Sequence, residues 1–296
     1  MFSSLIIDCH THAYPEEITQ DPRAWAEARG ELHWADLVAP KDRKTIQGWS
    51  TPASMIKAMD QAGVDQAILL GWYWEQESTC RWHNQIMSEW MKAHPDRLLG
   101  FASISPNGNA IDQLEAAKAL GFYGVGELHI GVQGIDLKSS QWKAMLDWCL
   151  AHGWPINFHV TETAGHDHPG SVPTPLQAFV RLAQSAPDLK IILAHWGGGL
   201  PFFEQNPKIR KDLKNVHYDV AASPLIYDIS IFKRMVDLVG VDKILFGSDY
   251  PLRVYHRKQK TPDMEMYIQQ IREESELSAD ELDQIFGRNF ERLIES

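Results

Sequence analysis

The sequence predicts an α/β fold of the (β/α)8 barrel type. Eight short β-rich runs alternate with helical stretches, several of the runs are apolar throughout, and the 296 residues suit a barrel that typically needs roughly 250. In chain order the runs are SLIIDCH, QAILLG, LLGFASI, FYGVGEL, PINFHV, KIILAH, VHYDV and KILFGS. Runs such as IILA and AILLG lack polar alternation, as expected of parallel strands covered on both faces. Eight of them suggest a closed sheet.

The intervening helices carry start and stop signals. STPASMIKAMDQAG opens with Ser50 and Thr51 before Pro52 and stops at Gly63; SSQWKAMLDWCLAHG opens on serine and stops at Gly153. Residues 13–50 break the rhythm, being too long for a simple strand-to-helix connection and carrying Trp25, Trp34 and Trp49 among charges. Three tryptophans argue against disorder, so this stretch is expected to be a folded excursion over the barrel mouth. No repeat, low-complexity tract or Gly/Ser linker appears, and residues 1–296 are expected to form one domain.

Composition excludes several function classes. Apolar residues at 44 % and charged residues at 23 % are globular values, with no apolar run long enough for a membrane span. The N-terminus lacks a basic segment followed by a long apolar one, so a cytoplasmic location is expected. Cys9, Cys80 and Cys149 are scattered and show no CxxC spacing, which reads as ordinary thiols. A net charge of −11 disfavours nucleic acid as a partner and leaves a small-molecule substrate.

Chemistry-bearing residues collect where the predicted strands end. Strand one ends in His10 and His12, strand four in Glu127 and His129, strand five in His159, strand six in His195, and strand eight in Asp249. Residues two apart on a strand share a face, and a closed parallel barrel brings its C-terminal strand ends around one mouth. Imidazoles with a carboxylate suit a borderline divalent cation such as zinc, with manganese as the alternative. A single strand-end histidine is ordinarily a polar tip; the joint occurrence of His10, His12, His159, His195 and Asp249 is what points to a metal site.

The remaining histidines divide. His33, His83, His94, His152 and His217 read as surface or second-layer residues, whereas His166 and His168, in TETAGHDHPG after strand five, are candidates for pocket contacts with solvation as the equal alternative, and His129 is similar. The glycines of AHWGGGLPFFE do not have the spacing of a phosphate loop and are expected to permit a tight turn at the rim. Arg253 and Arg257, just beyond SDYP, are candidate carboxylate anchors because a guanidinium can hold both oxygens. Trp196, with Trp72 and Trp74, is a candidate aromatic wall.

DCHTH at strand one, His159, His195 in AHWGGG, Asp249 in LFGSDYP and the closing IFGRNFERLI together resemble the amidohydrolase superfamily in its amidohydrolase-related branch. HTHAYP and HWGGGLPF also match the HxHxxP and HxGGGxPF patterns of the aminocarboxymuconate semialdehyde decarboxylases within that branch. The resemblance implies a TIM barrel with a divalent metal held by His10, His12, His159 and Asp249, with His195 polarising the reacting group. Many binuclear relatives carry a carboxylated lysine where this chain has Glu127, which leaves Glu127 to bridge two ions, bind one, or orient a neighbour; one ion is favoured over two.

The favoured activity is hydrolysis of a small amide, ester or lactone by metal-activated water, with Asp249 moving the proton and His195 steadying the oxyanion. The alternative is non-oxidative decarboxylation of a small unsaturated or aromatic acid, and the third reading is a barrel that binds metal without turnover. A homodimer is expected by analogy alone.

Overall fold

The computed structural model describes residues 5–165 and 171–295. Its strands are β1 (Ile7–Thr11), β2 (Gln66–Leu70), β3 (Leu98–Phe101), β4 (Val125–Leu128), β5 (Ile156–Phe158), β6 (Ile191–Leu193), β7 (Val216–Asp219) and β8 (Ile244–Leu245), one in each predicted run. They pair in parallel in sequence order, β1 to β3 and β4 to β8. Two seams join these arcs. Ala102 N donates to Gly124 O at 2.8 Å and Gly126 N to Ala102 O at 3.1 Å. On the other side Cys9 N bonds Phe246 O at 2.9 Å, Asp249 N bonds His10 O at 2.9 Å, and His12 N bonds Tyr250 O at 2.7 Å. The ring is therefore closed, and its C-terminal strand ends meet around one mouth.

Chain signals explain the helices. The helix over Pro52–Ala62 begins with a reciprocal cap, in which Ser54 N donates to Thr51 Oγ1 at 3.2 Å and Thr51 N to Ser54 Oγ at 2.9 Å. Gly63, at φ 71°, ends it. The helix over Ser140–Ala151 has Ser139 Oγ accepting from Trp142 N at 3.0 Å. The terminal IFGRNFERLI forms a π-helical turn over Gln284–Arg288 and a helix over Asn289–Glu295. Asn289 Nδ2 donates to Ile244 O at 2.8 Å, tying this segment to β8, and a Cβ on Gly287 would fall 2.2 Å from Leu5 O. That close approach explains the glycine.

The excursion between β1 and the first barrel helix folds into α1 (Glu16–Gln20), α2 (Pro22–Arg29) and α3 (Leu32–Val38). Tyr14, Ile18, Ala26, Trp34 and Val38 bury against Trp72, Tyr73 and Trp74, which follow β2. The Glu31 carboxylate, itself fully buried, accepts from Glu75 N at 2.7 Å and Gln76 N at 3.2 Å and so locks the excursion to the next sector of the rim. Among the described residues no helix is long and apolar enough to cross a membrane.

Candidate metal centre

His10 and His12 lie at the end of β1, where the β1–β2 register shifts between Asp8 and Thr11, and Glu127 lies in β4, where the register with β5 shifts between Val125 and Leu128. Such irregularities re-aim side chains at a barrel rim. His10 Nε2 stands 3.2 Å from His12 Nε2, 3.6 Å from Glu127 Oε1 and 3.8 Å from Asp249 Oδ1. His12 Nε2 is 3.5 Å from Glu127 Oε2 and 3.7 Å from Asp249 Oδ1. His159 Nδ1 and His195 Nε2 lie 3.3 and 3.7 Å from Glu127 Oε1 and 3.2 Å from each other.

Ligand atoms about 2 Å from one ion stand roughly 3 to 4 Å apart, which is this spacing. Two triads of donor atoms meet it among the described residues, His10/His12/Asp249 and His10/Glu127/His195.

The far nitrogens fix which lone pairs point inward. His10 Nδ1 is 2.9 Å from Asp219 Oδ2, His12 Nδ1 3.3 Å from Leu70 O, and His195 Nδ1 3.1 Å from Ala221 O. Each of these oxygens accepts, so each Nδ1 carries a proton; the Nε2 lone pairs of the neutral His12 and His195 face the centre, and that of His10 becomes available when a cation displaces its Nε2 proton. Three such nitrogens facing two carboxylates form a donor set that fits a divalent cation.

Electrostatics agree with that fit. Burial alone would lower His10, but Asp219, Glu127 and Asp249 overcome it and raise its pKa to about 10. Burial holds His12 down to about 3 and His195 to about 4, keeping both neutral. Asp249 is pushed up to about 8, first by burial and then by Glu127 and Asp219 against the pull of His10. Asp219 stays below the usual carboxylate range because His10 outweighs its burial. The protein groups alone thus hold excess negative charge that a cation can offset.

The expected residues fare unequally. His10, His12, Glu127, His159, His195 and Asp249 converge. His195 stands closer than the outer position expected for it, its Nε2 belonging to one of the donor triads. His129 is buried and stacks on His159 with ring centres 5.3 Å apart.

Trp196 is not a pocket wall. It is fully buried, donates from Nε1 to Ser223 Oγ at 2.8 Å and packs edge-on against Phe232 at 5.2 Å, because His195 and Trp196 both adopt left-handed backbone conformations. Nor is the Arg253 guanidinium held out for a carboxylate: it donates to Thr45 O at 2.9 Å and Ile46 O at 3.4 Å, fastening the excursion to the loop after β8. Arg257 is exposed. His166 and His168 lie outside the described residues.

Sequence reading missed Asp219, although it is the last residue of β7, one short of the end of the predicted run VHYDV, and so obeys the rule that found the others. It also passed over Asp8, whose Oδ1 accepts from Ser248 N at 2.9 Å beneath the site.

Comparison with known proteins places this geometry. Over 302 aligned residues the chain is 24 % identical to a 2-amino-3-carboxymuconate-6-semialdehyde decarboxylase of Dictyostelium discoideum, covering 84 % of this chain and 82 % of the relative. The crystal structure of 2,6-dihydroxybenzoate decarboxylase complexed with 2,6-dihydroxybenzoate superposes with a TM-score of 0.69 at 18 % identity, over 99 % of this chain and 100 % of the other. The 5-carboxyvanillate decarboxylase of Novosphingobium aromaticivorans, complexed with manganese and 4-hydroxy-3-methoxy-5-nitrobenzoic acid, gives 0.70 at 17 % identity over 99 % and 97 %. These structures share the fold. Because the amidohydrolase family model matches residues 7–295, taking in every residue of the cluster just described, the chain belongs to the amidohydrolase family.

Proposed function

We propose that this chain is a metal-dependent, non-oxidative decarboxylase of a small unsaturated or aromatic acid. The observation that carries the reading is the similarity, along more than four-fifths of both chains, to a decarboxylase of an unsaturated carboxylic acid. The sequence alone favours hydrolysis only weakly; the relatives shift the balance to carbon–carbon cleavage.

His10, His12, Glu127 and Asp249, with His159 and His195 beside them, would hold a divalent ion, which when bound would supply positive charge to the substrate's oxygens. Zinc and manganese are both suited, and one ion is preferred because Glu127 replaces the bridging lysine. Loss of carbon dioxide leaves an electron pair on carbon that must take up a proton. Asp249, whose Oδ1 faces His10 and His12 at 3.8 and 3.7 Å, is the group placed to pass that proton at the mouth. His195 presents Nε2 from a fixed tautomer, and Trp72, 5.3 Å from His12 between ring centres, supplies a flat apolar edge to the mouth.

The test is carbon dioxide release by manganese- or zinc-loaded protein from a panel of hydroxybenzoic and unsaturated acids, beside cleavage of lactones, esters and amides. Release of carbon dioxide, abolished in Asp249→Asn, is expected. Turnover of the esters or lactones alone would restore the hydrolase reading, and turnover of neither would leave a metal-binding barrel.

A further inference from the structure

The connection after β8 carries a row of cations that the metal centre does not use. His256, Arg257, Lys258 and Lys260 are exposed on it, and Arg43 and Lys44 are exposed at the end of the excursion. The two segments are fastened together. Arg253 donates from N to Ile46 O at 3.1 Å and from Nη2 to Thr45 O at 2.9 Å, and a Cβ on Gly48 would fall 2.2 Å from Pro251 O and 2.3 Å from Pro262 Cγ. Both segments belong to connections that leave the C-terminal ends of strands, β8 and β1, so they lie on the mouth side of the barrel.

The turn that bears these cations is built around one buried amide. Gln259 is 5 % exposed, its Oε1 accepts from Tyr255 N at 2.9 Å, and its Nε2 donates to Asp263 Oδ2 at 3.2 Å. The acids of the two segments are Asp42 and Asp263, and Asp263 Oδ1 already accepts from Met266 N at 3.0 Å. Elsewhere on the surface cations are paired, as Arg23 is with Glu27 and Asp36, and Arg288 with Asp280 and Asp283. No ion pair among the described residues engages Arg43, Lys44, Arg257, Lys258 or Lys260.

Net charge gives this placement its consequence. The chain carries −11, so most of its surface repels an approaching organic anion. Glu127, Asp219 and Asp249 add to that sign inside the mouth, with His10 as their charged partner. Unpaired cations beside the entrance reverse the sign locally. We propose that this basic rim is an electrostatic entry surface, which gathers small organic anions by charge and speeds their arrival at the mouth without touching the bound ligand; it rests on the decarboxylase reading only for the ligand's negative charge. The rim selects for charge and leaves the choice of acid to the pocket.

The experiment follows association of a nitro-substituted hydroxybenzoate with manganese-loaded protein by stopped-flow fluorescence, from about 0.01 M to about 1 M salt. Wild type is compared with a rim variant, Arg257→Glu/Lys258→Glu/Lys260→Glu, and with a floor variant, Lys118→Glu/Lys211→Glu/Lys214→Glu. The floor variant changes the net charge equally, at exposed positions ahead of β4 and β7. The wild-type association rate is expected to fall with salt, and the rim variant to be slower by about tenfold at the lowest salt and equal to wild type at the highest. The floor variant should stay close to wild type, and dissociation should be the same in all three proteins.

A wild-type rate that is flat or rises with salt overturns the proposal, as does equal slowing in both variants. A change confined to dissociation also overturns it, because that is the mark of a direct contact with the bound ligand. If the nitrobenzoate does not bind, the decarboxylase reading loses support while the rim is still read by iodide, which needs no pocket. Trp49 is partly exposed beside the fastened segments. Iodide quenching of tryptophan emission, relative to uncharged acrylamide, is then expected to be stronger in wild type than in the rim variant at low salt, and an equal ratio rejects the entry surface.

Discussion

Asp219 sits behind a candidate ligand and sets how that ligand faces the centre. Its Oδ2 fixes the proton on His10 Nδ1, while its Oδ1 accepts from His195 N and Ala221 N, each at 3.1 Å. Asp219→Asn keeps the shape but no longer offers a carboxylate to His10, so metal affinity should fall about 10- to 100-fold in a chelator competition. His83 makes a different residue-scale prediction. Its Nδ1 accepts from Trp74 Nε1 at 3.0 Å and its Nε2 faces Ala13 O at 3.3 Å, so the folded state requires the neutral ring. Burial lowers its pKa from 6.5 to about 4. The unfolded chain therefore takes up the proton first, and stability is full above pH 6.5 and lost as pH falls through 4. This amounts to about 3 kcal/mol at 1.36 kcal/mol per unit. Urea unfolding at pH 7 and pH 4 should show His83→Gln losing less stability on acidification than wild type.

At the scale of elements, the turn after β6 is the segment most constrained by its own backbone. His195, Trp196, Gly197, Gly198 and Gly199 all have positive φ, from 55° to 90°. A Cβ on Gly198 would stand 2.7 Å from Val160 Cγ1 and 2.9 Å from Thr161 O. Gly198→Ala should lower stability by about 2 kcal/mol in urea unfolding and reduce turnover, since the turn carries His195. The expectation of a tight turn was readable from AHWGGG because consecutive glycines have few other uses. That Trp196 would leave the mouth was not readable, because the left-handed conformation of two non-glycine residues decides it. Arg253 was misjudged for a related reason: the carbonyls of Thr45 and Ile46 that engage it lie more than 200 positions away in sequence. Strand ends were legible because alternation and closure need only local pattern, and His10, His12, Glu127, His159, His195 and Asp249 follow from them.

For the whole molecule, the closed barrel gathers Glu127, Asp219 and Asp249 around one charged partner, His10. A cation bound there favours the folded state by mass action. With metal at 100 times its dissociation constant the gain is about 2.7 kcal/mol, so chelation should lower the melting temperature by about 5 °C and added manganese or zinc should restore it. Chemistry is less legible at this scale than architecture, since hydrolysis and decarboxylation can share one donor set and differ in what enters the mouth.

The aromatic packing of the excursion also makes the site visible. Trp72 meets the edge of His12, and Trp34 and Trp49 each lie within 6 Å of Tyr14, whose ring stacks over His12. Indole emission is quenched by a neighbouring protonated imidazole or a paramagnetic ion, so manganese loading, ligand entry and loosening of the excursion should each alter the protein's intrinsic fluorescence. The molecule thus carries its own optical probe of the candidate metal centre, without any attached label.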